Sequence, residues 1–412
     1  MIDKKVSKLL GSTLGIMLVM VMFEIPVFAN NNVQTASTYT TTSDVVTYED
    51  YLININKSII QNGLKVTLEN VVATKHKLRA IIKVESTESF DQNKSDRSIV
   101  QLLYGENHFN GEGISYDYID DKTMLITIDQ DIDEEEFPEK GELRLDVVFP
   151  YYKVNIGMDA IVDFSESFDN IFDKYISVKI PEFDFTLNKL ESDVLGTTIN
   201  YSEPYKDHDD RTIDSSFILK IGDKMYKIRS SGSSSDGEET KGVYESEAVT
   251  YDMFKDQKDV SIIPLVCNIT WDELKKINKD NRQIEEDTNK ETINNVNYLK
   301  SFNFSDGSKG EIYNIERNDN TMKVYCRGNS EKASLLMASG INMYYQFTED
   351  QVDYISYDNN KYISFYKDPN DVLGYIVEFN NVDEDKVLEL NFNDTIKQIE
   401  RYNLGSEIEI FK

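Results

Sequence analysis

Histidine, cysteine, proline and positive charge are all scarce in this chain of 412 residues. Its three histidines, His76, His108 and His208, stand far apart, so no His-x-x-x-His pair exists to seat zinc, and zinc hydrolysis has no support. The two cysteines, Cys267 and Cys326, form no Cys-x-x-Cys, which removes zinc knuckles and dithiol redox motifs. In an oxidising compartment they could pair. The expectation is two separate buried thiols, because the units mapped below place them apart. Lysine and arginine number 44 against 74 aspartates and glutamates, a net charge of -30. Such a chain repels nucleic acid and anionic lipid, so neither is expected as a partner. No Gly-x-Ser-x-Gly elbow occurs, and Gly111-Glu112-Gly113 lacks the strand–helix setting of a nucleotide fingerprint.

Long apolar runs are absent except at the start. Lys4, Lys5 and Lys8 precede an uncharged stretch of 15 residues, Leu9 to Phe23, closed by Glu24 and Pro26. Val27-Phe28-Ala29 then presents small residues where a signal peptidase reads. This is the three-part plan of a secretory signal over residues 1–29, cut before Asn30. The alternative, a retained membrane anchor, suits the run less well, because a span needs about 20 apolar residues. The first 29 residues carry three lysines against Asp3 and Glu24, so the mature chain stands near -31. The expected location is secreted or cell-surface, with membrane contact only through an uncleaved N-terminus.

What is present is the material of β-sheet. Hydrophobic residues make up 40% and aromatics 11%, enough to bury real cores, and 25 tyrosines against seven prolines fit strands better than a helical bundle. Residues 30–47, rich in Asn, Thr and Ser, are expected to be a flexible leader. Asn62-Gly63 joins the apolar-patterned runs Ile53–Ile60 and Leu64–Val72, a hairpin signal. Leu64, Val66 and Leu68 alternate with polar residues, as do Leu78, Ala80, Ile82 and Val84, and later Leu143, Leu145, Val147 and Phe149. A similar plan recurs from Phe183, Phe185 and Leu187 into Leu195–Tyr201, and again from Ile312–Ile315 into Met322, Val324 and Cys326. Strands after Lys140, Lys258 and Lys386 recur at a spacing of one sandwich domain. The fold expected is mainly β: about three tandem immunoglobulin-like β-sandwich domains, at 48–176, 177–271 and 297–412. Residues 272–296 are expected to be a polar linker or short helix opened by a capping box at Thr270 and Glu273. With few apolar residues in that stretch, few contacts should cross it. Ser230–Gly237 is expected as a mobile loop. Asp159–Tyr175 permits a helix, through Phe164 and Phe168, or a strand.

Two segments carry a resemblance. Ile59-Ile60-Gln61-Asn62-Gly63-Leu64 through Val72, with Leu78–Val84 behind it, is similar to the extracytoplasmic domain of unknown function 4179. Leu187–Ser192 through Ile199, with the Gly232–Gly237 serine loop and Ile262-Ile263-Pro264, resembles that family's companion immunoglobulin-like domain. The resemblance covers about residues 48–271. It implies a place outside the membrane of a spore-forming Gram-positive bacterium, and it implies that Ile161–Phe168 is the closing strand of domain one. Many relatives carry an anti-sigma-like segment before a membrane helix. Here only eight residues precede the apolar run, and Asp193-Val194 stands where the family often has proline. The family has no assigned activity, so the resemblance implies fold and location alone.

Carboxylates are the only plentiful reactive groups. Asp129-Gln130-Asp131-Ile132-Asp133 starts like a calcium loop, but Glu134 replaces the required glycine and Lys140 the final glutamate. Asp207-His208-Asp209-Asp210 with Asp214 could hold calcium; a solvated acidic loop is the preferred reading. No pair among so many acids can be singled out for glycoside hydrolysis. The aromatics Tyr344, Tyr345, Phe347, Tyr354, Tyr357, Tyr362, Phe365 and Tyr366 could stack on sugar rings or a protein partner if exposed; strand core is the preferred reading, because alternation hides half of them in any sandwich. The expectation is therefore a non-catalytic envelope protein with no catalytic, metal or cofactor residues assigned, whose modules bind a cell-wall polymer or an envelope protein. The alternatives are an external sensor half with a retained membrane helix and, more distantly, a carbohydrate-active enzyme.

Overall fold

Alternating burial builds the first unit as two facing sheets. The computed structural model describes residues 48–411, apart from 96, 106–110, 133–134, 206–214, 256, 258, 268–269, 271, 274–289, 305, 347–355, 392–398 and 400–401. The expected signal and leader lie outside the described residues. Strands β1 (Ile53–Gln61), β2 (Leu64–Ala73), β3 (Lys77–Ser86), β4 (Ile99–Tyr104), β5 (Gly111–Tyr118), β6 (Thr123–Asp131), β7 (Lys140–Phe149) and β8 (Val154–Asp163) follow in order. They form one sheet ordered β1-β2-β3-β6-β5 and another ordered β4-β7-β8. Val66, Ile82 and Ile126 from the first sheet meet Leu102, Leu145 and Met158 from the second in one buried core. Each such side chain contributes roughly 1.5–3 kcal/mol of burial. The Asn62-Gly63 hairpin forms as expected, both residues taking positive φ (49° and 84°). A Cβ on Gly63 would lie 2.8 Å from Thr87 Oγ1, so only glycine fits there.

The second run comprises β9 (Phe172–Ile180), β10 (Phe185–Asp193), β11 (Gly196–Pro204), β12 (Ser215–Ile221), β13 (Lys224–Ser235), β14 (Glu239–Ser246) and β15 (Val260–Cys267). The third comprises β16 (Lys290–Ile293), β17 (Val296–Leu299), β18 (Ser301–Asn303), β19 (Lys309–Asn318), β20 (Thr321–Gly328), β21 (Asn342–Tyr345), β22 (Ile363–Lys367), β23 (Tyr375–Phe379), β24 (Leu388–Asn391), β25 (Tyr402–Leu404) and β26 (Ile408–Phe411). The chain is mainly β, in several antiparallel sheets consistent with a β-sandwich class. One parallel pairing, β17 with β24, stands among them.

Contacts do cross residues 272–296, against expectation. The C-terminal strands β25 and β26 return to pair with β15, and β13 meets β22 at Met225 and Phe365. Ile410 packs into the core built by β9–β15. Ile218, Met225, Leu265 and Cys267 join the core of the third run, which also contains Cys326. Both cysteines are buried free thiols, as expected, but they share one core rather than standing in two. Apolar strands distant in sequence fasten the units.

Four local expectations are corrected or extended. The line drawn at 176/177 falls inside β9, which pairs with β10 and so belongs to the second sheet. Ile161–Phe168 is not one strand: β8 ends at Asp163 and a helical turn follows over Ser165–Asp169. Asp163 accepts a 3.1 Å bond from the Ser165 amide, and Phe168 N bonds Phe164 O at 3.0 Å, so the helical spacing of the two phenylalanines prevails. The serine-rich segment is the far half of β13, paired residue by residue with β14 as far as Ser235–Thr240, with a bulge after Ser230. Its residues are exposed, which polar composition predicts, but ladder hydrogen bonds order them. A buried helix, Glu331–Gly340, was not expected in the third run. Ser330 caps it by accepting from Ala333 N at 3.2 Å, and Leu335, Leu336 and Met337 face the core. The capping box at Thr270 and Glu273 is present, with reciprocal bonds of 3.1 and 3.3 Å, although most of the segment behind it lies outside the described residues.

Candidate functional site

Period two leaves the outer face of the five-stranded sheet polar. While Leu78, Ala80 and Ile82 enter the core, Arg79 and Ile81 point away from it. Register then sets Arg79 beside Asp129, Ile81 beside Thr127 and Asp117 beside Leu125 on that same face. The third run lies opposite, presenting Asn342 and Tyr344 from β21 and two loops, residues 356–362 and 381–387. Between them is a cleft of about 1550 Å³, to which the second run adds Arg229 and Glu247.

The loop walls are held by their own polar side chains. Asp358 accepts from the amides of Asn360 (2.9 Å) and Lys361 (3.2 Å). Asn359 forms a two-way bond with the backbone of Met343, 2.8 Å in each direction. The Tyr357 hydroxyl donates to the carbonyl oxygens of Asn380 (2.8 Å) and Tyr362 (3.1 Å). Burial pushes that hydroxyl's pKa well up, so it remains a donor. Asp383 Oδ1 accepts from the amide of Asp385 at 3.0 Å.

Charge concentrates where the three runs meet. Arg79 donates to Asp129 at 2.6 Å and to Glu247 at 3.0 Å, tying the first run to the second. Its guanidinium also lies 5.4 Å from the centroid of the Tyr48 ring. Lys361 Nζ lies 3.9 Å from the same ring and 5.1 Å from that of Tyr362. Burial, then the nearby Arg79, holds the Lys361 pKa below its ordinary value. Burial raises that of Tyr48, and burial alone raises that of Asp117. Tyr48 belongs to a single 3-10 turn, Tyr48–Tyr51. Its neighbour Tyr51 bonds Asp252 at 3.2 Å, and Tyr48, Tyr51 and Leu52 pack on Val72, Val194 and Leu195.

The aromatics singled out in the sequence divide between core and cleft. Tyr345, Tyr357 and Phe365 are buried. Tyr344 is 38% exposed and lines the cleft, as do Tyr345, Tyr357 and Tyr362. Tyr366 turns instead to Glu378, and Phe347 and Tyr354 lie outside the described residues. Asp129 reaches the cleft as the partner of Arg79. Asp133, Asp207–Asp210, Asp214, His108 and His208 lie outside the described residues. His76 sits between the first two runs, with Nε2 3.6 Å from Glu191. Sequence reading missed Arg79, Arg229, Lys361 and the asparagine-rich loops. The run Asp358-Asn359-Asn360-Lys361 was a visible turn signal, but its facing wall comes from residues far away in the chain. Among the described residues, no helix is long and apolar enough to cross a membrane, and no His, Cys, Asp or Glu cluster could hold a metal ion.

No family model and no curated protein matches the chain. Among solved structures it is similar to a conserved domain protein from Bacillus anthracis, at 15% identity and a TM-score of 0.41, over 53% of this chain and 78% of that one.

Proposed function

We propose that the protein is an exported, non-catalytic component of a Gram-positive cell envelope and that it binds a wall polymer in the three-walled cleft. The proposal keeps the resemblance to the domain of unknown function 4179 family and its companion domain, and the cleaved N-terminal signal, as its basis for location. One observation carries the binding half: the cleft is large, open and lined by side-chain amides, carboxylates and tyrosine rings. Asn342 and Asn360 offer paired donors and acceptors to sugar hydroxyls, and Tyr344 offers an exposed ring. Aromatic faces with planar polar groups suit a saccharide chain, whose rings are apolar on their faces and polar around their edges.

The test is co-sedimentation of the chain starting at Asn30 with purified Gram-positive sacculi. Saturable binding that weakens in Tyr344→Ala supports the reading. Recovery in the soluble fraction at every concentration would end it, and cleavage of the glycan would replace it with an enzyme. N-terminal sequencing of the exported protein tests the location, with Asn30 the expected first residue.

A further inference from the structure

Which charge the cleft lacks can be read by accounting for the charges already satisfied. Asp129 and Glu247 are taken by Arg79. Asp358 and Asp383 are engaged by backbone amides. Burial raises the pKa of Asp117. Asp385 is the remaining carboxylate on the lining. On the cationic side, Arg79 is doubly paired and Lys386 has a partner of its own, but Lys361 and Arg229 form no ion pair with any described residue. Glu247, Glu49 and Asp358 act on Lys361 without a direct ion pair and do not offset its burial and the nearby Arg79. Lysines such as Lys65, Lys140 and Lys189 touch a carboxylate directly. The Lys361 ammonium is instead positioned by two tyrosine rings, at 3.9 and 5.1 Å, which orient it without neutralising it.

We infer that the cleft takes an anionic oxygen of its ligand, carboxylate or phosphate, on the ammonium of Lys361, with Arg229 as a second cation on the lining. This rests on the cleft being the polymer site and names the polymer's class: an acidic wall glycan. Two wall components carry such groups, the peptide carboxylates of peptidoglycan and the phosphodiesters of teichoic polymers. Long-range repulsion from the acidic chain fades over a Debye length of about 8 Å at physiological salt, so a short-range cation can still capture the group. An anion there also relieves a buried charge, so it should raise the Lys361 pKa.

The experiment uses the chain from Asn30 and three soluble probes: phosphate-free muropeptides, a teichoic polymer, and a neutral chitooligosaccharide. Calorimetry is run on wild type, Lys361→Gln, Lys361→Arg and Arg229→Gln, each checked for a wild-type melt. Lys361→Gln is expected to weaken one or both anionic probes about tenfold or more, in a salt-sensitive way, and to leave the neutral probe unchanged. Lys361→Arg is expected to retain most of the affinity, and Arg229→Gln to lose less than Lys361→Gln. Whichever anionic probe responds identifies the source. A parallel NMR titration of the lysine ε-methylene groups with inorganic phosphate and acetate is expected to raise the Lys361 pKa saturably. Polymers that bind with equal affinity to wild type and Lys361→Gln would overturn the inference and leave the cleft reading standing. Small anions that move Lys361 while no polymer binds would sustain the cation site and overturn the cleft's assigned role. No response of Lys361 to either small anion, with the anionic probes unaffected, would overturn the inference outright.

Discussion

Phe411, one residue from the end of the chain, is paired across an antiparallel ladder with Val260, and between them run the whole third set of strands. The last two strands thus complete a sheet begun by the second set. Tyr402 lies in the core of the third run and Ile410 in that of the second, both nearly out of contact with water. A fragment of residues 297–412 lacks β15 and leaves both strands unpaired. Expressed alone, it is expected to show no cooperative melt by circular dichroism. Deleting 402–412 from the full chain is expected to cost about 3–6 kcal/mol in urea unfolding, from two buried side chains and the lost ladder. A cooperative, β-rich melt of the isolated fragment would contradict this account of the junction.

The two cysteines test the same shared core from inside. Burial drives the Cys326 thiol far above its usual pKa, which suppresses the reactive thiolate. Neither Cys267 nor Cys326 should react with iodoacetamide at pH 8 until the protein is unfolded, and both should then react together. Peptide mapping without reductant is expected to recover two free thiols. A linked pair, or prompt labelling of one cysteine in the native protein, would contradict the burial described.

Acid should weaken the joint between the second and third runs through Glu378. Its carboxylate lies 3.2 Å from Lys224 and 3.4 Å from Lys323, and the Tyr366 hydroxyl donates to it at 3.2 Å. Burial alone would raise its pKa; the two lysines outweigh that and hold it below the ordinary value. A carboxyl with a depressed folded pKa stabilises the fold fully above its unfolded value, near 4.5, and loses that contribution as pH falls through the folded one. Because both lysines are partly exposed, Glu378→Gln is expected to cost only about 1–3 kcal/mol at pH 7. The cost should shrink as pH falls from the unfolded value through the lower folded one, below which wild type is also protonated. A cost that is constant from pH 3 to 7 would rule the carboxylate out as its source.

Tyr48 shields the Lys361 ammonium from one side. Replacing it with alanine admits water, so the pKa of Lys361 should move back up toward its ordinary value. NMR titration of the lysine ε-methylene groups measures this directly. An unchanged Lys361 titration in Tyr48→Ala would mean that the ring is not what desolvates the amine.

Much of this fold was legible because period two is a local signal. The alternation through Leu78–Val84 and Leu143–Phe149 and the Asn62-Gly63 turn each depend on neighbours in sequence, and each appears where the pattern put it. The helix at Glu331–Gly340 was also written locally, in Ser330 and an Ala- and Leu-rich run free of β-branching, but an expectation of uniform sandwiches passed over it. The partnership of β15 with β25 and β26 was not legible, because nothing in Asp272–Asn295 records which strands return past it. The cleft was hidden for the same reason. Arg79 reads as the polar half of an alternating strand, and Lys361 as a loop lysine. Their common neighbour Tyr48 appears only when the chain is folded.

The central proposal is that the cleft walled by residues from all three runs binds a wall polymer. Hydrogen–deuterium exchange of the chain from Asn30, with and without saturating soluble wall fragments, tests it most directly. The account predicts simultaneous protection in residues 79–81 and 115–127 of the first run and in 342–346 and 356–362 of the third. Protection confined to one run, or located away from the cleft while binding is saturated, would contradict it.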